Sequence, residues 1–299
     1  MRRANIPAHP TLVNARPHIV ASYWLVQRSL ADFLVDLADR SGPIPELCKL
    51  RGFHNLNLFE DILHDDLLGL RHELSGSALY EPASEQAFGP PPPLGPWQTK
   101  MDVQLAVATR QFRAWCKAHG KNTSQVDFRV LNLSMHTLKD WPSLKGKANN
   151  SAIVSEWLCH IASAHIFDER SEMRSVCLQS AVDIWHLIQD TKFPDWVLSK
   201  DQMLKLESSR LKCLLGYEWL SKDSYSKSLF RYKLIPKFHH WEHGLRRSVR
   251  TSISPSVTYT FSPEDFMGVT SRMCAKVHGS TILKRGVSRW LISFFAALE

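Results

Sequence analysis

Between Lys100 and Leu220 the apolar residues recur three and four apart in four successive runs, with no strand signal among them. A stretch with that single periodicity buries its apolar faces only as helices packed side by side. The spacing predicts helices over Lys100–His119, Lys147–Phe167, Glu172–Asp190 and Ser199–Leu220. In the second, Ile153, Trp157, Leu158, Ile161 and Ala162 fall on one face. In the third, Val176, Leu178, Val182, Trp185 and Ile188 do so. Aromatic residues at this spacing read as core. The expected fold class is therefore mainly α, a helical bundle.

The flanks divide the chain further. Residues 1–45 form an arm, with three arginines, His9, three prolines and no acid in the first 17, followed by a helical pattern that stops at Ser41-Gly42-Pro43. Residues 46–81 contain Leu56–Leu74, with Leu58, Ile62, Leu63 and Leu67 on one helical face and a short buried strand expected at the front. Residues 82–98 hold four consecutive prolines and read as a polyproline linker. The helical region is then 99–235, and 236–299 is a basic C-terminal segment. That segment starts with a helix over Pro236–Arg250. The alternation of Val257, Tyr259 and Phe261 predicts a strand, and Ser262-Pro263-Glu264-Asp265 is a capping box that opens another helix. A last amphipathic helix runs from Thr281 to Leu298.

No stretch approaches 18 uninterrupted apolar residues, which argues against a transmembrane helix. The first residues lack the apolar core of a secretory signal, so an intracellular, non-secreted protein is expected. The six cysteines (Cys48, Cys116, Cys159, Cys177, Cys213, Cys274) form no C-x-x-C pair and read as reduced thiols. From Lys227 to Arg289 there are twelve Lys or Arg and three acids, a net of +9 against −1 for the rest. Such a segment suits either phosphate contacts with DNA or a solvated basic face.

Three constellations could carry chemistry. Glu60, Asp61, His64, Asp65 and Asp66 supply oxygen ligands of the kind Mg2+ takes, or a solvated acidic helix face. His239, His240 and His243 with Glu242 are not an H-E-x-x-H motif. One zinc could bridge His239 and His243, but imidazoles facing solvent or phosphate fit the pattern better. Glu264 and Asp265 need nothing beyond helix capping to account for them. No phosphate-binding or nucleophile-elbow motif occurs.

The order of these segments resembles CACTA-type (En/Spm-like) DDE transposases across roughly residues 50–298. Asp61-Ile62-Leu63-His64-Asp65-Asp66-Leu67-Leu68-Gly69 resembles the D-x-[ML]-H-x-x-L-L-G stretch around the family's second catalytic Asp. Pro236 to His243 is similar to its K-x-H-x-x-x-H segment. Glu264-Asp265-Phe266-Met267-Gly268, with Val277-His278 beyond, is similar to its E-x-x-N-G block, although Met267 stands in place of Asn. The resemblance implies a remnant α/β RNase H-like portion interrupted by a long helical insertion. It implies Asp61 and Glu264 as catalytic ligands of Mg2+ in DNA strand cleavage and transfer. It also implies DNA contacts from Lys237, His239, His243, Arg246, Arg247, Arg272, Lys276, Lys284 and Arg285, and a nuclear location. The family's first Asp has no counterpart on a strand, because Asp32, Asp36 and Asp39 fall in a helical pattern. The expectation is a truncated transposase-derived protein that binds DNA without catalysis. The alternatives are a helical interaction or scaffold protein, and a nuclease completed by another chain.

Overall fold

A computed structural model describes residues 61–89, 94–125, 127–164, 167–191 and 195–258, all within one compact unit, Glu60–Glu299. It is mainly helical. A π-helical segment, Leu63–Leu70, runs directly into α1, Arg71–Ser84. Then follow α2 (Trp97–Ala118), α3 (Ala148–Ala164), α4 (Glu169–Asp190), α5 (Lys200–Ser226) and α6 (Pro236–Thr251). The five helices expected between Lys100 and Arg250 all form, with ends that shift by up to six residues, whereas the helical pattern within 1–45 lies outside the described residues. No described helix is long and apolar enough to cross a membrane.

The central element is α1, which packs on α2, α3 and α4. Leu74, Leu79 and Tyr80 are buried on it, and small residues let its neighbours approach closely. Ser75 and Ser155 of α3 bring their hydroxyls to 3.1 Å. A Cβ on Gly76 would lie 2.6 Å from the carbonyl oxygen of Pro142. Around this helix Phe112, Phe128 and Trp157 pack with ring centroids 5.2–5.6 Å apart. Each such burial is worth roughly 1.5–3 kcal/mol relative to exposure. Cys116, Cys159, Cys177 and Cys213 are free and buried, while Cys48 and Cys274 lie outside the described residues.

Helix starts follow local chemistry. At α4, Asp168 Oδ1 accepts from Ser171 N–H (2.7 Å) and Ser171 Oγ from Asp168 N–H (2.9 Å). Ser199 and Gln202 close the same reciprocal box at α5. Pro236 takes the first turn of α6, where its missing N–H costs nothing.

Two expectations need correction. Residues 82–98 are not a spacer throughout. α1 continues through Pro82 to Ser84 and ends in a Schellman closure, with Ala87 N–H on Pro82 O (2.8 Å), Gln86 N–H on Ala83 O (3.2 Å), and Gln86 at φ 61°. Phe88 is then buried, held by Gln104 Oε1 on its N–H, and Trp97 already belongs to α2. The strand expected to begin at 256 is instead one 3-10 turn, Pro255–Thr258, as far as the described residues reach. Among the described residues the β-structure is a single bridge, Val197 to Ile253. The strand expected before Ile62, the helix from Pro263 and the segment 281–298 lie outside them.

Candidate functional site

The acidic motif sits where the chain enters the π-helical segment. Asp61 Oδ1 accepts from Leu63 N–H at 3.0 Å, and Oδ2 meets His64 Nδ1. This is the geometry of a helix-start cap, with the carboxylate half-buried. Asp65 and Asp66 are buried. Asp66 Oδ1 accepts from Arg71 Nε at 2.9 Å in a fully enclosed pair, and Arg71 also donates to Ala181 O and lies 5.7 Å from the Trp185 ring centroid. Burial raises the Asp66 pKa, against the opposing pull of Arg71. The backbone widens here, since Arg71 N–H bonds to Asp66 O five residues back. The acidic stretch expected to face solvent therefore turns partly inward.

The second motif lies against it. The π-helical segment packs on α6, and Lys237 Nζ donates to Leu68 O at 3.3 Å. Gly69 makes this possible, because a Cβ there would stand 3.0 Å from both Lys237 Cδ and the His64 carbonyl oxygen. Two segments 169 residues apart thus interlock through a lysine and a glycine. Nearby, His72 has its pKa pushed down to about 4, first by burial and then by the Lys237 charge.

On α6 the His239 and His243 rings approach to 4.1 Å between centroids. His239 is half-buried; His243, which the sequence places toward solvent or phosphate, is only 8% exposed. Burial, then His239 and Arg246, push its pKa down to about 4, so it is neutral at pH 7. Its Nε2 lies 3.6 Å from Glu242 Oε2. Glu242 is itself buried, with Oε1 shared by Arg210 Nη1 (2.6 Å) and Arg246 Nη2 (2.7 Å). Arg210 also holds Glu207, at 2.5 Å and 2.8 Å. Arg246, expected to contact DNA, is thus committed to an ion pair.

Of the other residues expected to contact DNA, Lys237 and Arg247 are half-buried. Glu264, Arg272, Lys276, Lys284 and Arg285 lie outside the described residues. The structure adds His240 and Arg250, exposed at positions three and seven or ten residues from Arg247 and each other, so that the three share one stripe of α6. Exposed Lys233 precedes this stripe. Residue type pointed to these positions, but what sets the others apart is environment, the burial of His243 and the ion pair of Arg246 with Glu242.

The described residues do not by themselves make a Mg2+ site. No three His, Cys, Asp or Glu side chains among them are grouped to hold a metal ion. Asp65 and Asp66 are buried, and Asp66 is neutralised by Arg71. Comparison of the chain with protein-family models, curated proteins and solved structures finds no match.

Proposed function

We propose that this chain is a helical protein derived from a CACTA-type DDE transposase, binding DNA through the basic stripe of α6 without cleaving it alone. What supports the descent is the packing of the H-D-D-L-L-G segment on the K-F-H-H-W-E-H segment, with Lys237 bonded to Leu68 O over Gly69. Two short motifs that resemble parts of one catalytic domain would be expected to meet. The stripe of His240, Arg247 and Arg250 supplies the charge that phosphate contacts need. The absence of cleavage rests on Asp61 and Asp66, which are spent on a cap and a buried ion pair. The test is fluorescence anisotropy of a labelled duplex with the full chain, beside a cleavage assay in Mg2+ and Mn2+. Binding at low salt without cleavage is expected; cleavage, or no binding, overturns the reading.

A second reading, a helical interaction module, has its own support. The outward face of α5 carries Leu204, Leu211 and Leu215 at 61%, 39% and 60% exposure. These lie on one helical stripe, the arrangement of a helix-pairing seam. Sedimentation equilibrium tests it. Self-association that Leu211→Glu abolishes would favour this reading, and a monomer at all concentrations would remove self-pairing from it.

A further inference from the structure

Between α5 and α6 the chain carries charge of one sign. No acid occurs from Ser224 to Trp241, a stretch that holds Lys227, Arg231, Lys233 and Lys237. Lys227 and Lys233 are exposed, as are Ser228, Leu229 and Leu234. Arg231 is not. It is only 8% exposed, and its Cζ lies 4.0 Å from the centroid of the Tyr80 ring on α1. The next residue anchors the chain at this point. Tyr232, in the left-handed region at φ 54°, donates its N–H to Ser77 Oγ and its hydroxyl to Glu81 Oε2.

Four arginines are buried among the described residues, and three of them hold a carboxylate. Arg71 holds Asp66, Arg174 holds Glu81, and Arg210 holds Glu207 and Glu242. Arg231 has only a carbonyl and a ring face, with Nη1 donating to Phe230 O at 3.1 Å. Its Nε–H is buried and finds no acceptor among the described residues. Burial lowers its pKa, but a guanidinium stays charged. Glu81 acts on it from a distance, yet that carboxylate is already taken by Arg170, Arg174 and Tyr232. A ring face returns less than the burial of a cation costs, so a counter-charge is wanting. The unused Nε belongs to the edge of the guanidinium that grips two oxygens at once. Arg210 shows the grip in this same protein, holding Glu207 through Nε at 2.8 Å and Nη2 at 2.5 Å.

We infer that Arg231 anchors a site for a small oxyanion, a phosphate or carboxylate group, bound on its Nε edge beside the Tyr80 ring. Exposed Lys227 and Lys233, on either side of it in the chain, raise the local concentration of anions. A small ligand fits and a duplex does not, because a side chain this enclosed cannot meet a DNA backbone. The site is therefore separate from the stripe of α6, and the inference does not depend on DNA binding.

The test is calorimetric titration of the full-length protein with inorganic phosphate and, separately, with acetate, at constant ionic strength set by chloride. Saturable one-to-one binding of at least one of them is expected, and the tighter of the two identifies the group. Arg231→Lys keeps the charge and loses the two-pronged edge, so it should weaken binding at least tenfold with the helical circular dichroism unchanged. A second readout needs no variant: in the wild type the bound anion should slow hydrogen exchange in peptides from 227–235 and leave α2 unchanged. The inference is overturned if neither anion binds saturably, or if a folded Arg231→Lys binds as the wild type does. It is also overturned if exchange in 227–235 does not respond to the anion, which would leave the guanidinium resting on Tyr80 alone.

Discussion

Removing the carboxylate of Glu81 is the sharpest probe of what holds these helices together. Glu81 is buried on α1. Its Oε1 accepts from Arg170 Nε at 2.9 Å, and its Oε2 from Arg174 Nη1 at 2.9 Å and from the Tyr232 hydroxyl at 2.8 Å. One carboxylate thus joins α1, α4 and the segment between α5 and α6. Tyr232 sits at φ 54°, an unusual conformation for an aromatic residue, and its N–H donates to Ser77 Oγ at 2.9 Å. Arg170 has further partners in Asp223 and Ser224, so it is not wholly stranded by the loss. Arg174 loses its ion-pair partner inside the protein. Breaking a buried pair from one side costs about 3–5 kcal/mol, out of a total stability of roughly 5–15 kcal/mol. Glu81→Ala should therefore lower the urea midpoint at unchanged slope, followed by the fluorescence of the ten tryptophans. A loss below about 1 kcal/mol, the range of exposed pairs such as Arg129–Asp127, would refute the view that this network is structural.

The remaining predictions concern packing, capping and pH. Gly76→Ala should cost about 3 kcal/mol or more by urea unfolding, since its Cβ meets the backbone of Pro142 and Ser143, which cannot swing aside as a side chain would; a neutral result would mean the two segments are not in contact. Asp61→Ala should cost only about 1 kcal/mol, the value of a helix-start cap, and a loss above about 3 kcal/mol would point to a larger structural role. His72 and His243 have native pKa values near 4, below the 6.5 of an ordinary histidine. The unfolded chain therefore takes up protons first, and these two groups lower stability as pH falls from 6.5 towards 4, by up to about 1.4 kcal/mol per pH unit each. Unfolding at pH 7.5, 6 and 5 should show this decline, and it should flatten in the double variant His72→Asn/His243→Asn; an identical decline in that variant would contradict the assignment.

The helices were legible because burying one face of a helix imposes a 3.6-residue period, which the runs around Trp157 and Trp185 display openly. Their ends were less so. α4 starts three residues before Glu172 because Asp168 and Ser171 cap each other, and α5 runs six residues past Leu220 although its tail is polar. In that tail Asp223 and Ser224 bind Arg170, a tertiary contact that periodicity does not register. Pro82 stands at the head of the proline-rich stretch 82–98, yet it sits in the last turn of α1, where the Schellman closure supplies the terminal bonds. The candidate site was legible as residue types and hidden as environments. His239 and His243 could be paired from their spacing of four, but the burial of His243 depends on the packing around α6. Asp66 with Arg71 is close in sequence, whereas Glu81 with Arg170 spans 89 residues and Tyr232 with Glu81 spans 151. Partners at such separations leave no periodic trace.

The proposed function turns on the charge of α6, and the salt dependence of duplex binding tests it most directly. The account predicts that log K falls linearly with log salt concentration, and that Arg247→Gln with Arg250→Gln reduces the slope by about 0.9 for each phosphate contact removed. An affinity undetectable at low salt, or a slope unchanged by the two substitutions, would contradict it.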